Sequence, residues 1–356
     1  MTEKSPHSTN RKTAPTRRAP GWIAPTLAGV LAVAVTWGIG STVFHNALVA
    51  HGLPEEVKDA SADGRALLVH GAELANLATR ANELAGLAQG EESEALANLG
   101  TSLSQGAALL GELQFAQESA PAEPSAYSPE IVKSLLQDVA TFSASTPSLE
   151  KPSLESNELL SQIAFQTNLD ANTALDALKE KSSLELALPL SASADNENTD
   201  PVSCLPSADL LDPASEVTEA NEFEAVTVAR ALDRGYALDF VLQLQAARGA
   251  SSEAEGIEAQ RAQLGKQLQT LRAVVDPQCG DLRQPAYALP DKGLENLKTV
   301  ATDAYTDFDE ALVLAAGNAQ GEARTKVATL AFDVLSDDSV ANPNHRVLET
   351  GTSVNQ

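Results

Sequence analysis

Aromatic residues make up only 4% of this 356-residue chain, methionine occurs once and cysteine twice. Sandwiches and barrels draw on aromatic and β-branched strands, so so few aromatics count against them. Abundant Ala and Leu point instead to helices packed through small side chains. Histidine is scarce: His7, His45, His51, His70 and His345 are all there are. The chain has no Gly-x-Ser-x-Gly, no P-loop and no dinucleotide-binding fingerprint, and no Cys–His pair is suggested. No catalytic, cofactor-binding or metal-ligating residue is assigned, and no cofactor is expected.

Positive charge is in short supply. Acidic residues number 49 against 24 basic, for a net charge of −25. Lys4, Arg11, Lys12, Arg17 and Arg18 fall within residues 1–21, against Glu3 alone. Removing these six from the totals of 49 and 24 leaves 48 acidic and 19 basic residues, a net of −29. Such a surface repels phosphate backbones, so nucleic acid is not an expected partner. Its plain role is solubility; a cation or a basic partner is the sharper alternative.

One stretch lacks charge altogether. Trp22 to Ala50, "WIAPTLAGVLAVAVTWGIGSTVFHNALVA", holds no Asp, Glu, Lys or Arg. About 20 such residues cross a bilayer. Basic residues precede it; Glu55, Glu56, Lys58 and Asp59 follow. The positive-inside rule then predicts a single-pass protein of the cell membrane, with a cytoplasmic N-terminus and an extracytoplasmic C-terminal region. Cleavage after Ala50 or Ala47 would put Leu48 or His45 at the −3 position, a poor signal-peptidase site, so an uncleaved anchor is favoured over secretion. The polar tail 1–21 is expected to be disordered.

Cys204 and Cys279 both follow that segment. An even count in an oxidising compartment points to one bridge, with two free thiols as the alternative.

The rest of the chain reads as helix. Leu67, His70, Leu74, Leu77, Ala81 and Leu84 step by three and four, and Leu96, Leu99, Leu103, Gly106 and Leu110 repeat the pattern, giving a helical hairpin. Ser128-Pro129 opens a third helix as N-cap and N1. A fourth spans about 156–181. The fold class is therefore all-α: an N-terminal transmembrane helix and two helical bundles. The segments are a tail (1–21), an anchor (22–50), an N-terminal bundle (52–181), an acidic Pro-containing linker (182–214), a second bundle (215–340) and a flexible tail (341–356).

The second bundle carries the helix–"ARG"–helix junction closed by Arg248, Arg261 in the next helix, and the loop "PAYALP" at Pro285–Pro290. On these residues, 216–340 resembles the actinobacterial ferritin-like domain of unknown function. The resemblance implies a ferritin-like four-helix bundle and no established activity. In that family the first helix tends to show Glu-His where this chain has Asp233-Arg234. Ferritin-like di-iron sites need Glu-x-x-His pairs, and this sequence has none.

The stretch "RALDRGYALDF" (230–240) sets Asp233 on the apolar face of its helix. A buried carboxylate needs a partner. Arg230 at i−3 and Arg261 on the next helix are the candidates for a buried ion pair with Asp233; a solvated helix-edge acid and a functional site are the other readings. His70 is expected to be a core histidine. Asp303, Asp307, Asp309 and Glu310 read as a solvated acidic face. The expected function is an envelope interaction or scaffold module, non-catalytic, with an unknown protein partner in the cell envelope. The alternatives are an atypical ferritin-like metal-binding oxidoreductase and an acidic cation- or ligand-binding protein.

Overall fold

Serine caps and a left-handed glycine set the ends of the first helices. The Ser61 hydroxyl accepts from the Gly64 N–H at 3.0 Å and opens α1 (Ala62–Leu87). Gly90, at φ 66°, turns the chain into α2 (Glu91–Leu110), a conformation other residues rarely adopt. Ser128 caps α3 (Pro129–Ser143), with Pro129 in its first turn. Ser153 and Ser156 form a reciprocal cap on α4 (Leu154–Ala177). Four helices follow: α5 (Phe223–Arg248), α6 (Ser251–Arg272), α7 (Leu297–Asn318) and α8 (Gly321–Ala341).

This computed structural model describes residues 61–111, 127–178, 184–191, 199–212, 214–248, 251–290, 293–341 and 347–348. Their regular structure is helical apart from one isolated parallel bridge, Val202 to Val275. The tail 1–21 and the anchor 22–50 lie outside the described residues. Among those described, no helix is long and apolar enough to cross a membrane.

In the first core α1 packs on α2, α2 on α4, α4 on α3, and α3 back on α1. Leu74, Leu96, Leu99, Leu103, Leu135 and Val139 are fully buried there. The first four are residues of the three-and-four pattern, which places one stripe of each helix inward, and Leu135 and Val139 are spaced the same way on α3. In the second core the neighbours run α5, α6, α8, α7 and back to α5. A connection from Ala273 to Asn296 crosses between α6 and α7.

The two cores share a helix. Leu160, Ile163 and Ala171 of α4 face the first, while Ala164 and Phe165 belong to the second. α4 also packs along α7, where the Asn157 side-chain amide donates to the Asn318 side-chain oxygen at 2.7 Å. A Cβ on Gly317 would overlap the Ser161 hydroxyl, so the helices touch backbone to side chain. Residues 61–356 thus form one compact unit.

Two expectations need correction for this reason. The described parts of the linker 182–214 are seated, because each offers an apolar side chain to a core. Leu190 is buried and donates its N–H to Ser143, and Val202 is buried and exchanges backbone hydrogen bonds with Val274 and Asp276. The tail 341–356 is likewise held where it is described. Val347 enters the second core and Leu348 the first, and both N–H groups donate to the side-chain oxygen of buried Gln166 on α4.

Candidate functional site

The stretch 230–240 lies in the middle of α5. Gly235 is there because nothing larger fits: a Cβ would overlap Leu268 of α6 and come within 2.9 Å of Phe308 of α7. Polar side chains flank this close contact and meet the crossover that follows α6.

Asp233 is buried, at 7% exposure. The arginines expected to pair with it do not. Arg230 turns to the segment before α5, donating to the carbonyls of Leu210 (2.8 Å), Asp212 (2.9 Å) and Ser215 (3.1 Å). Arg261 pairs with Asp239 at 3.1 Å and with Glu258 at 3.0 Å. The reason is helix register. In a pair of consecutive antiparallel helices, residues equally far from the joined ends face each other. Asp239 lies nine residues before Arg248 and Arg261 ten after Ser251, whereas Asp233 lies fifteen before. The six-residue step from Asp233 to Asp239 amounts to about 9 Å of helix. Asp233 is served by the crossover instead: Gln284 donates to it at 3.5 Å and the Tyr287 hydroxyl hydrogen-bonds to it. Burial raises its pKa, against a smaller lowering by Arg234 and these two bonds. Tyr287 is pushed up to about 12, chiefly by burial, with the Asp233 charge adding to it.

Asp239, which sequence reasoning passed over, is the true hub. It accepts from Arg261, from Arg283 at 2.9 Å and from Gln243 at 2.8 Å. Three donors on one carboxylate satisfy a buried charge. Arg283 also lies over the Tyr236 ring, 5.0 Å from its centre. The Tyr236 hydroxyl hydrogen-bonds to Asp281; burial first, then Asp281, raises its pKa.

The crossover is also clasped by the Cys204–Cys279 disulfide, the pair the sequence pointed to. Arg272, closing α6, donates to the Cys279 carbonyl at 2.6 Å and to that of Asp276 at 3.4 Å. Between the clasped crossover and α6 opens a cleft of about 630 Å³. Leu268, Val275 and Pro277 give it apolar walls, and Arg272, Arg283, Asp281 and Tyr236 give it polar ones.

A second hollow, of about 420 Å³, lies between α1 and α3. His70 stacks on Phe142 there, ring centres 4.1 Å apart. Burial pushes His70 down to about 4, so the ring is neutral at pH 7. Glu73 and the Arg80–Asp138 pair, 2.8 Å apart, line the same hollow.

The acidic run on α7 divides differently from expectation. Asp303, Asp307 and Glu310 are exposed, but Asp309 is buried at 3%. Among the described residues no three His, Cys, Asp or Glu side chains are grouped to hold a metal ion. Compared with family models, with characterised proteins and with solved structures, the chain finds no match.

Proposed function

We propose that the chain is a membrane-anchored, extracytoplasmic helical-bundle protein that serves as an interaction or scaffold module of the cell envelope and performs no catalysis. The observation that carries the reading is the Cys204–Cys279 disulfide, which joins residues 75 apart and clasps the crossover. Such a bond persists in an oxidising compartment, on the far side of the uncharged segment 22–50. Two cores fused through α4 and closed by Val347 and Leu348 give a rigid body with an acidic surface, suited to presenting fixed faces to a partner.

The neighbour order α5, α6, α8, α7, with its long connection between the second and third helices, is that of a bundle with one crossover. It supports a ferritin-like arrangement for 215–340. A ligand-binding role is the second reading, favoured by the cleft beside the crossover.

Protease applied to spheroplasts expressing the chain with a tag after Gln356 is expected to remove the tag. Protection of the tag overturns the topology. Cross-linking in intact cells, with mass spectrometry, is expected to join residues 61–341 to a defined envelope protein. A chain that forms no adduct under conditions that cross-link known envelope complexes overturns the scaffold role.

A further inference from the structure

We propose that the cleft between α6 and the crossover binds a small amphipathic carboxylate, an alkyl or aryl acid whose apolar body lies on Leu268 and Val275 and whose carboxylate meets Arg272. This goes beyond the scaffold reading and does not depend on it.

Three observations converge. The first is charge. In a chain of net −25, the cleft is lined by two arginines and one carboxylate, Asp281. Arg283 is neutralised by Asp239. Arg272 has no ion pair among the described residues; the hydrogen bonds seen for it go to the carbonyls of Asp276 and Cys279. A guanidinium has five N–H donors, so about three remain for a ligand. The two carbonyls hold it in place beforehand, which lowers the ordering cost of binding.

The second is Gly265. It lies inside α6, where glycine weakens a helix relative to alanine. Nothing lies within 4 Å of where its Cβ would be, so no packing demands it. It does line the cleft, and a side chain there would occupy the space.

The third is the match of size and polarity. A cleft of about 630 Å³ with apolar walls and a few placed polar groups is of the kind that takes small organic ligands. Cations already partly balanced by Asp239 and Asp281 favour a monoanion over a phosphate dianion, since the second charge would be unmatched.

The test is calorimetric titration of the full chain in a non-ionic detergent with hexanoate, 3-phenylpropionate and the neutral hexanamide. The acids are expected to give saturable heat by about 10 mM, and the amide at least about tenfold weaker binding. Gly265→Leu is expected to weaken both acids by about tenfold or more while the melting temperature holds or rises. Arg272→Gln is expected to do the same to affinity; should it unfold, Gly265→Leu decides alone. Absence of saturable heat, equal binding of hexanamide, or unchanged affinity in folded Gly265→Leu overturns the proposal. An acetylated tripeptide ending in leucine that binds about tenfold tighter than either acid would reassign the cleft to a peptide terminus and overturn it too.

Discussion

Replacing Gly317 by alanine asks whether α4 and α7 really lock the two cores into one body. The new Cβ would overlap the Ser161 hydroxyl and come within 3.2 Å of the Asn157 carbonyl. Ser161 is fully buried, and its hydroxyl donates to that same carbonyl at 2.6 Å. Swinging the hydroxyl away breaks this bond in a dry place, at a cost of about 1–3 kcal/mol. Pushing the helices apart instead costs about 1–3 kcal/mol as overpacking. Alanine returns about 1 kcal/mol of helix propensity. The net expectation is a loss of up to about 2 kcal/mol. Urea denaturation followed by circular dichroism measures it. Gly86→Ala on α1, where a Cβ meets nothing within 4 Å, is the control and should gain up to about 1 kcal/mol. Ser161→Ala removes the clashing oxygen, so the double mutant should recover much of the loss, with a coupling of about 1 kcal/mol or more. If Gly317→Ala stabilises as much as Gly86→Ala, or shows no coupling to Ser161, the close α4–α7 contact is refuted.

Three other substitutions probe the crossover and the tail. Asp233 has a raised pKa in the fold, so its contribution to stability is full below the ordinary aspartate range and declines as pH rises through the folded value. Asp233→Asn should therefore be neutral or stabilising at pH 7 and should flatten that decline in melts recorded across pH; a marked loss of stability at pH 7 would contradict the assignment. Replacing Cys204 and Cys279 together by serine opens a loop of 75 residues, with an expected loss of up to about 4 kcal/mol from loop-closure entropy; equal urea midpoints with and without the bridge would count against the clasp. Ending the chain after Ala341 strips Val347 and Leu348 from the cores and leaves the buried Gln166 oxygen without their N–H groups, an expected cost of about 3 kcal/mol by chemical denaturation; an unchanged midpoint would place the tail outside the cooperative unit.

Much of the helical pattern was legible because it depends on local periodicity. Leu74, Leu77, Ala81, Leu84, Leu96, Leu99 and Leu103 are buried because each lies on the inward stripe of its own helix. Ser128-Pro129 marks the start of α3 for an equally local reason. The Cys204–Cys279 bridge was expected from an even cysteine count together with the oxidising compartment that the sequence predicts. What periodicity does not carry is how helices from distant parts of the sequence meet. Phe165 serves the second core from a helix of the first because α4 has two apolar faces, and one-stripe reasoning assigns a helix one face. Val347 and Leu348 looked like part of a polar tail, yet one buried glutamine, Gln166, holds both.

The polar layer on α5 shows the same division at the level of single residues. That Asp233 is buried could be read from its place on the stripe, and it is. Its partners could not, because they lie in the crossover, where neither period nor propensity fixes which side chain returns to α5. Asp239 was readable in part: counting back from Arg248 and forward from Ser251 sets it opposite Arg261, and the structure joins them at 3.1 Å. Arg283 was not, since it lies in the crossover, which the disulfide ties to Cys204 and Arg272 ties to α6. The same crossover, through Pro277, Asp281 and Arg283, forms one wall of the cleft. Its ligand capacity is therefore a property of the loop's anchoring, and loss of the disulfide should disturb the Arg283–Asp239 pair and the cleft together while leaving the hairpin pair Arg261–Asp239, set by helix register alone, in place.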